Sequence, residues 1–310
     1  MRTRGRPRAK VGFSLVEIMV VMMILGIIGV ALTRVMFKQQ QAYRDTSKEA
    51  DMQREIRLTS SLLPAELRSM SSSGADVIEM AEDRVAFLAT IGSGIVCAKN
   101  GNTHIVLPPL NTAAVTMTNW YSQPVAGDTI FMYSDSLLKG AEDDIWERFA
   151  IANINQNFAD CPGAPFTDPA LDAGKARWRI GVGGSGLIPD SVRIGAVVRF
   201  ARPVRYSLYQ ATSGKWYVGY QEYIGGTWTQ TEAVGGPYNR YQAGDYLPSG
   251  LQFRYFDSLG TRLTNVADRL RVSRIDVYLR TNAGAAAVTE RHANSLQDSV
   301  MMRIAVRNFK

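Results

Sequence analysis

A single carboxylate, Glu17, interrupts an otherwise uncharged run from Phe13 to Thr33 near the start of this 310-residue chain. A charge carried inside a hydrocarbon layer costs about 2.5–3.5 kcal/mol on insertion scales, so an acid kept there needs a partner. In low dielectric its attraction to a cation is large relative to water. The chemistry available to Glu17 is therefore electrostatic pairing. The run that carries it holds about 21 residues, close to the roughly 20 needed to cross a bilayer as a helix. Arg2, Arg4, Arg6, Arg8 and Lys10 precede it, with no acid before Glu17. Cations on that side predict a leader held in the cytoplasm and an exported C-terminal bulk.

Other reactive residue types are sparse. Cys97 and Cys161 belong to no C-x-x-C pair, and His104 and His292 are far apart. A zinc site needs more ligands than this distribution offers. In an exported domain the two cysteines read most simply as one disulfide, worth about 4 kcal/mol in the chain-entropy picture; two buried thiols are the alternative. There is no G-x-S-x-G, H-E-x-x-H or P-loop. The glycine-rich stretch Gly181 to Gly186 lacks the strand–helix context of a dinucleotide site and reads as a loop. Glu142-Asp143-Asp144, Asp190 and Asp245 lie near turn residues, where solvated acids are a simpler reading than a calcium site. No catalytic constellation, metal site or cofactor is expected.

The stretch Gly12-Phe13-Ser14-Leu15-Val16-Glu17 resembles the processing site of type IV prepilins and type II secretion pseudopilins. Three features coincide: the basic leader, the Gly-Phe junction and an acid at the fifth position after it. The resemblance implies cleavage between Gly12 and Phe13 by a prepilin peptidase, with N-methylation of Phe13. It also implies that Glu17 registers the subunit by pairing with the terminal amine of a neighbour. The implied partners are the peptidase, other major and minor (pseudo)pilins, an inner-membrane assembly platform and membrane lipid. The implied course is a single pass in the inner membrane with a periplasmic C-terminal domain, followed by incorporation into a pilus or pseudopilus. A secretory signal peptide is the competing reading, with Gly29-Val30-Ala31 as a poor cleavage site and Leu32 as the mature start. A membrane-anchored periplasmic binding module or enzyme that never assembles is the alternative function.

Further along the chain, Arg34 to Leu63 has no proline or glycine and is rich in helix formers. Apolar spacing returns at Met52, Ile56, Thr59 and Leu63, a stripe suited to packing on a sheet. Pro64 either ends this helix or begins a second short turn. The helix from Phe13 to Leu63 would be roughly 75 Å long.

After Ser69 to Gly74 the texture is that of short alternating strands. Val77–Met80 and Arg84–Ala89 predict a hairpin turned at Glu82-Asp83. Gly94–Ala98 and Thr103–Leu107 predict another, with Asn100-Gly101 as a type I′ turn. Further strands are expected at Thr129–Tyr133, Trp146–Ile154, Ala196–Phe200, Val204–Tyr209, Lys215–Tyr220, Leu251–Phe256, Ser273–Leu279 and Val300–Asn308. Asp160 to Asp190 reads as a looped insertion pinned by Cys161. Trp216, Tyr217, Tyr220, Tyr223 and Trp228 alternate along strands; packing explains most of them, and a partner surface is the minority reading.

The expected fold class is α+β: a long N-terminal helix packed on antiparallel sheet, pilin-like, with a large β-rich C-terminal region. The expected divisions are a removed leader (1–12), a transmembrane half-helix (13–33), an amphipathic half-helix (34–64) and an exported β-rich domain (65–310) with an insertion at about 155–191. The later strands, among them Leu251–Asp257, Ile275–Leu279 and Val306-Arg307-Asn308, resemble PilW-type minor pilins and J-type pseudopilins. Many major pilins carry a proline where this chain has Arg34, which directs the resemblance to the minor class and a tip or initiation position. Net charge is +7, from 35 basic and 28 acidic side chains. Removing the five leader cations leaves 30 and a balance near +2. The basic excess is thus a targeting signal, and it predicts no nucleic-acid partner.

Overall fold

A computed structural model describes residues 14–71, 74–110, 117–135, 145–157, 161–163, 165–168, 170–184, 187–243, 249–282 and 297–306. Gly12, Phe13, the Glu142–Asp144 acids, Gly186, Asp245, His292, Arg307 and Asn308 lie outside them. The chain divides into two compact units, Met1–Asp51 and Met52–Lys310.

The one α-helix among the described residues, α1, spans Leu15–Arg68. Ser14 caps it: the Ser14 carbonyl accepts from the Ile18 N–H at 3.2 Å, and the Ser14 hydroxyl accepts from the Glu17 N–H at 3.4 Å. The stripe read from spacing is buried, with Met52, Ile56, Thr59, Leu63 and also Leu67 turned inward. The helix does not stop at Pro64. An interior proline costs about 3 kcal/mol, but Leu63 and Leu67 are both fully buried on either side of it, and their packing carries α1 through to Arg68.

Among the described residues the second unit otherwise holds antiparallel strands and one short 3-10 helix, Val266–Arg271, so the α+β class holds. In chain order the strands are β1 (Val77–Met80), β2 (Arg84–Ile95), β3 (Ala98–Asn100), β4 (His104–Leu107), β5 (Asn119–Trp120), β6 (Thr129–Ser134), β7 (Ile145–Asn157) and β8 (Arg177–Gly183). They continue with β9 (Val197–Gln210), β10 (Trp216–Ile224), β11 (Thr227–Trp228), β12 (Glu232–Tyr238), β13 (Leu251–Phe256), β14 (Arg262–Leu263), β15 (Arg274–Asn282) and β16 (Gln297–Ala305). Among the described residues β1 to β12 form one twelve-stranded sheet and β13 to β16 a separate four-stranded one. The main path of the large sheet runs β1-β2-β9-β6-β7-β8-β4-β3, with β10 on β9 and carrying β11 and β12.

Two long strands, β2 and β9, run through two cores. At one end Phe87, Ala89, Val204, Tyr206 and Leu208 pack with Ile56, Leu63 and Leu67 of α1 and with Phe253 and Ile275 of the small sheet. At the other end Ile91, Val198 and Phe200 join Ile130, Phe149, Trp178 and Ile180. The small sheet thus completes the cover of the stripe on α1, which explains why the late alternating strands are needed.

Four local expectations are corrected. The stretch read as a looped insertion contains β8, paired with both β7 and β4. Its glycine and arginine positions hid an inward Trp178 and Ile180, both buried. The Asn100-Gly101 hairpin exists, but Asn100 pairs with His104, which leaves a three-residue loop in place of a two-residue type I′ turn. Gly101 adopts φ +63°, the left-handed conformation such a loop requires. Finally, Gly94 and Ile95 end β2 instead of opening that hairpin, and the two strands expected on either side of Ala201-Arg202-Pro203 are one strand, β9.

Candidate membrane and assembly segment

Every side chain from Ser14 to Arg44 is exposed. Leu15 is 75% exposed, Met23 70% and Phe37 66%, although these residues have no polar group to offer water. Mean hydropathy over the most apolar window of α1 reaches 2.7, and none of that window is buried. A helix that is apolar all round and uncovered within its own chain suits a membrane, where its backbone hydrogen bonds are all internal. α1 is long and apolar enough to serve as a membrane anchor.

Glu17 lies in the first turn of this segment and forms no ion pair with any described residue. Ser14 and Glu17 stand at S-x-x-E spacing, that of a capping box, and the Ser14 half of the box is formed. An acid in the first turn also faces the positive end of the helix dipole. Sequence reasoning about Glu17 as a pairing group missed this local role, which the same four residues could have signalled.

Within the second unit, the later part of α1 is fixed by a compact polar contact. The Tyr238 hydroxyl donates to Thr59 Oγ1 at 2.7 Å, and the Gly236 N–H donates to Glu55 Oε2 at 3.3 Å. Burial pushes the Tyr238 phenol up to about 12, with the Thr59 hydrogen bond pulling the other way. Gly235 is needed for the close approach, since a Cβ there would overlap Thr59 Oγ1. Nothing in the spacing of residues 232–238 announced this role.

Cys97 and Cys161 form a disulfide across a separation of 64 residues, and both are buried with Val106. Asp190 is almost wholly exposed and lies 3.9 Å from Lys99. In the glycine-rich stretch, Gly181 and Gly183 belong to strand and not to a phosphate loop, because residues 181–183 close β8. Among the described residues no three His, Cys, Asp or Glu side chains converge as a metal site would need. The aromatic group divides between the faces of its sheet. Trp216 and Tyr220 pack on the core around α1, while Tyr223 meets Trp228 edge-on at 5.3 Å and Arg205 lies 4.0 Å over the Trp228 ring.

A buried cluster around Arg202 escaped the sequence reading. Arg202 is 3% exposed and sits where the neighbour of β9 changes from β6 to β10, between the pairs Ala201–Thr129 and Val204–Glu222. Its guanidinium donates to both Asp128 carboxylate oxygens at 3.0 and 2.8 Å and to Glu222 Oε2 at 2.8 Å. Ser122 Oγ and the Gln123 carbonyl complete the set. Each charge is matched by a hydrogen-bonded opposite charge, as a desolvated arginine requires. The cluster closes the seam between two strand neighbours, and its groups are all occupied.

No family model, no curated protein and no solved structure matches the chain. Its assignment rests on its own residues.

Proposed function

We propose that the chain is a minor pilin or type II secretion pseudopilin, cut between Gly12 and Phe13 and assembled through α1. The observation that supports this best is the continuity of one helix. Directly after the Gly-Phe junction and Glu17, α1 presents an uncovered apolar surface, and its later stripe is enclosed by the β-rich unit. A subunit built to hand its helix to lipid and then to neighbouring helices needs both properties. In this reading the Glu17 carboxylate meets the terminal amine of Phe13 on the next subunit, and Ile18 to Leu32 pack against equivalent helices.

The test is the mature N-terminus, by intact mass and terminal sequencing from native membranes with and without prepilin peptidase. A peptidase-dependent start at N-methylated Phe13 is expected. An uncut chain, or one starting near Leu32, would end this reading. Because Glu17 also stands in a capping position, two variants separate its roles. Glu17→Gln keeps a capping-box side chain and removes the charge, so it should be cleaved normally yet fail to enter filaments, as should Glu17→Ala. Normal incorporation of Glu17→Gln would reduce Glu17 to a helix cap.

A further inference from the structure

A polar concavity of about 440 Å³ opens on the large sheet, lined by His104, Asn153, Asn155, Gln156 and Arg179. It owes its place to strand register. His104, Gly181 and Asn153 stand in one row across β4, β8 and β7, and Val106, Arg179 and Asn155 in the next. Residues two apart share a face, and the alternate positions Ile105, Ile180 and Ile154 face the core instead. Gly181, at the centre of its row, has no side chain to fill the floor. The Asn153 amide leans into that space, so that a Cβ on residue 181 would come within 2.7 Å of Asn153 Nδ2.

The lining is chemically one-sided. It contains a guanidinium, an imidazole and three carboxamides, with no carboxylate and no Phe, Tyr or Trp ring. Arg179 Nε is buried and has no hydrogen-bond partner among the described residues. That atom is closed to a ligand, but the guanidinium as a whole is the one full charge of the lining, and an anion is the group that pairs with it through charge-assisted bonds. His104 is lowered in pKa by burial and by the nearby Arg179 charge, both of which favour the neutral ring. Its Nδ1 is engaged with Thr103 Oγ1 at 2.8 Å, leaving Nε2 available. Asn153 and Asn155 meet at 3.3 Å through Oδ1 and Nδ2, and each retains further donor or acceptor capacity. A bare anion can accept from the guanidinium and from the amide N–H groups, but it offers no donor to the amide carbonyls. A carboxylate attached to vicinal hydroxyls would do both. The volume falls in the range of small-ligand sites, roughly 300–1,000 Å³.

We propose that this concavity binds an acidic sugar, its carboxylate on Arg179 and its hydroxyls on Asn153, Asn155, Gln156 and His104. The site stands independently of the pilin reading. Either a free uronic acid or a residue of an acidic polysaccharide presents the same chemistry.

The experiment is saturation-transfer NMR on the full chain in detergent micelles, with glucuronate, glucose, inorganic sulfate and an oligogalacturonate as probes. Saturable glucuronate binding is expected, with glucose weaker by about tenfold or more for loss of the charge-assisted bond. Preference for the oligomer over glucuronate would identify a polysaccharide source, and the reverse a free acid. Arg179→Gln should weaken glucuronate by about tenfold or more. Asn155→Asp, nearly isosteric on an exposed side chain, should do the same by repulsion, with unchanged circular dichroism. Equal binding of glucose and glucuronate, unaltered binding in both variants, or sulfate binding as tightly as glucuronate would overturn the proposal.

Discussion

The two halves of α1 are helical for different reasons. From Ser14 to Arg44 no side chain is covered, and the apolar residues surround the axis. From Met52 to Leu67 the buried positions form a stripe, and Ile56, Leu63 and Leu67 of that stripe lie in the largest core of the β-rich unit. The later half draws its stability from tertiary packing, as most protein helices do. The earlier half has no packing of its own and suits a solvent where an internal hydrogen-bond ladder is obligatory. One sequence element thus carries two contrasting instructions, one satisfied within the chain and the other suited to a membrane.

That contrast can be broken at either end. The largest effect should come from Val21→Asp combined with Ile24→Asp. Two acids near the centre of a spanning helix cost about 5–7 kcal/mol on insertion scales. Membrane fractionation should show the chain lost from the bilayer, while thermal unfolding of the β-rich unit stays unchanged. Leu63→Ala should do the reverse. This fully buried side chain should cost about 2–5 kcal/mol of folding stability in urea titrations, with membrane partition unaffected. If Leu63→Ala also released the chain from membranes, the two halves would not be independent.

Smaller changes sharpen the contact that holds the later half. Gly235→Ala places a methyl against Thr59 and should cost about 1–3 kcal/mol through overpacking. Tyr238→Phe removes the hydrogen bond to Thr59 and should cost about 0.5–1.5 kcal/mol. Both are read by denaturant midpoints. A neutral Gly235→Ala would mean that the close approach of α1 is not a constraint on this position.

The apolar run, the stripe from Met52 to Leu63 and most strands were legible because period and composition report burial directly. Pro64 misled because a local cost was outweighed by Leu63 and Leu67 in the core. β8 was hidden because Arg177, Arg179, Gly181 and Gly183 dominate its composition, while its burial falls on Trp178 and Ile180. Arg202 was illegible for a different reason. Its partners flank β9, Asp128 just before β6 and Glu222 in β10, and single-sequence spacing carries no information about pairing across strands. The polar row of His104, Gly181 and Asn153 depends on the same kind of register. Glu17 was visible as a lone acid, and the S-x-x-E spacing from Ser14 that signals its capping role was passed over.

Glu66 offers the finest test, because it is the counterpart of Glu17 on the docked half. Burial raises the Glu66 carboxyl above its ordinary value of 4.5. A carboxyl raised on folding supports the fold fully when protonated, and that support is lost as pH rises through the raised value. Above the ordinary value the folded chain therefore bears the cost of burying this carboxyl. Glu66→Gln should gain about 0.5 kcal/mol at pH 7, and the gain should shrink toward zero as pH falls below 4.5. Urea midpoints at several pH values measure it. A gain that persists unchanged in acid would locate the benefit in packing of the amide, and the burial of α1 near Glu66 would then have no electrostatic cost.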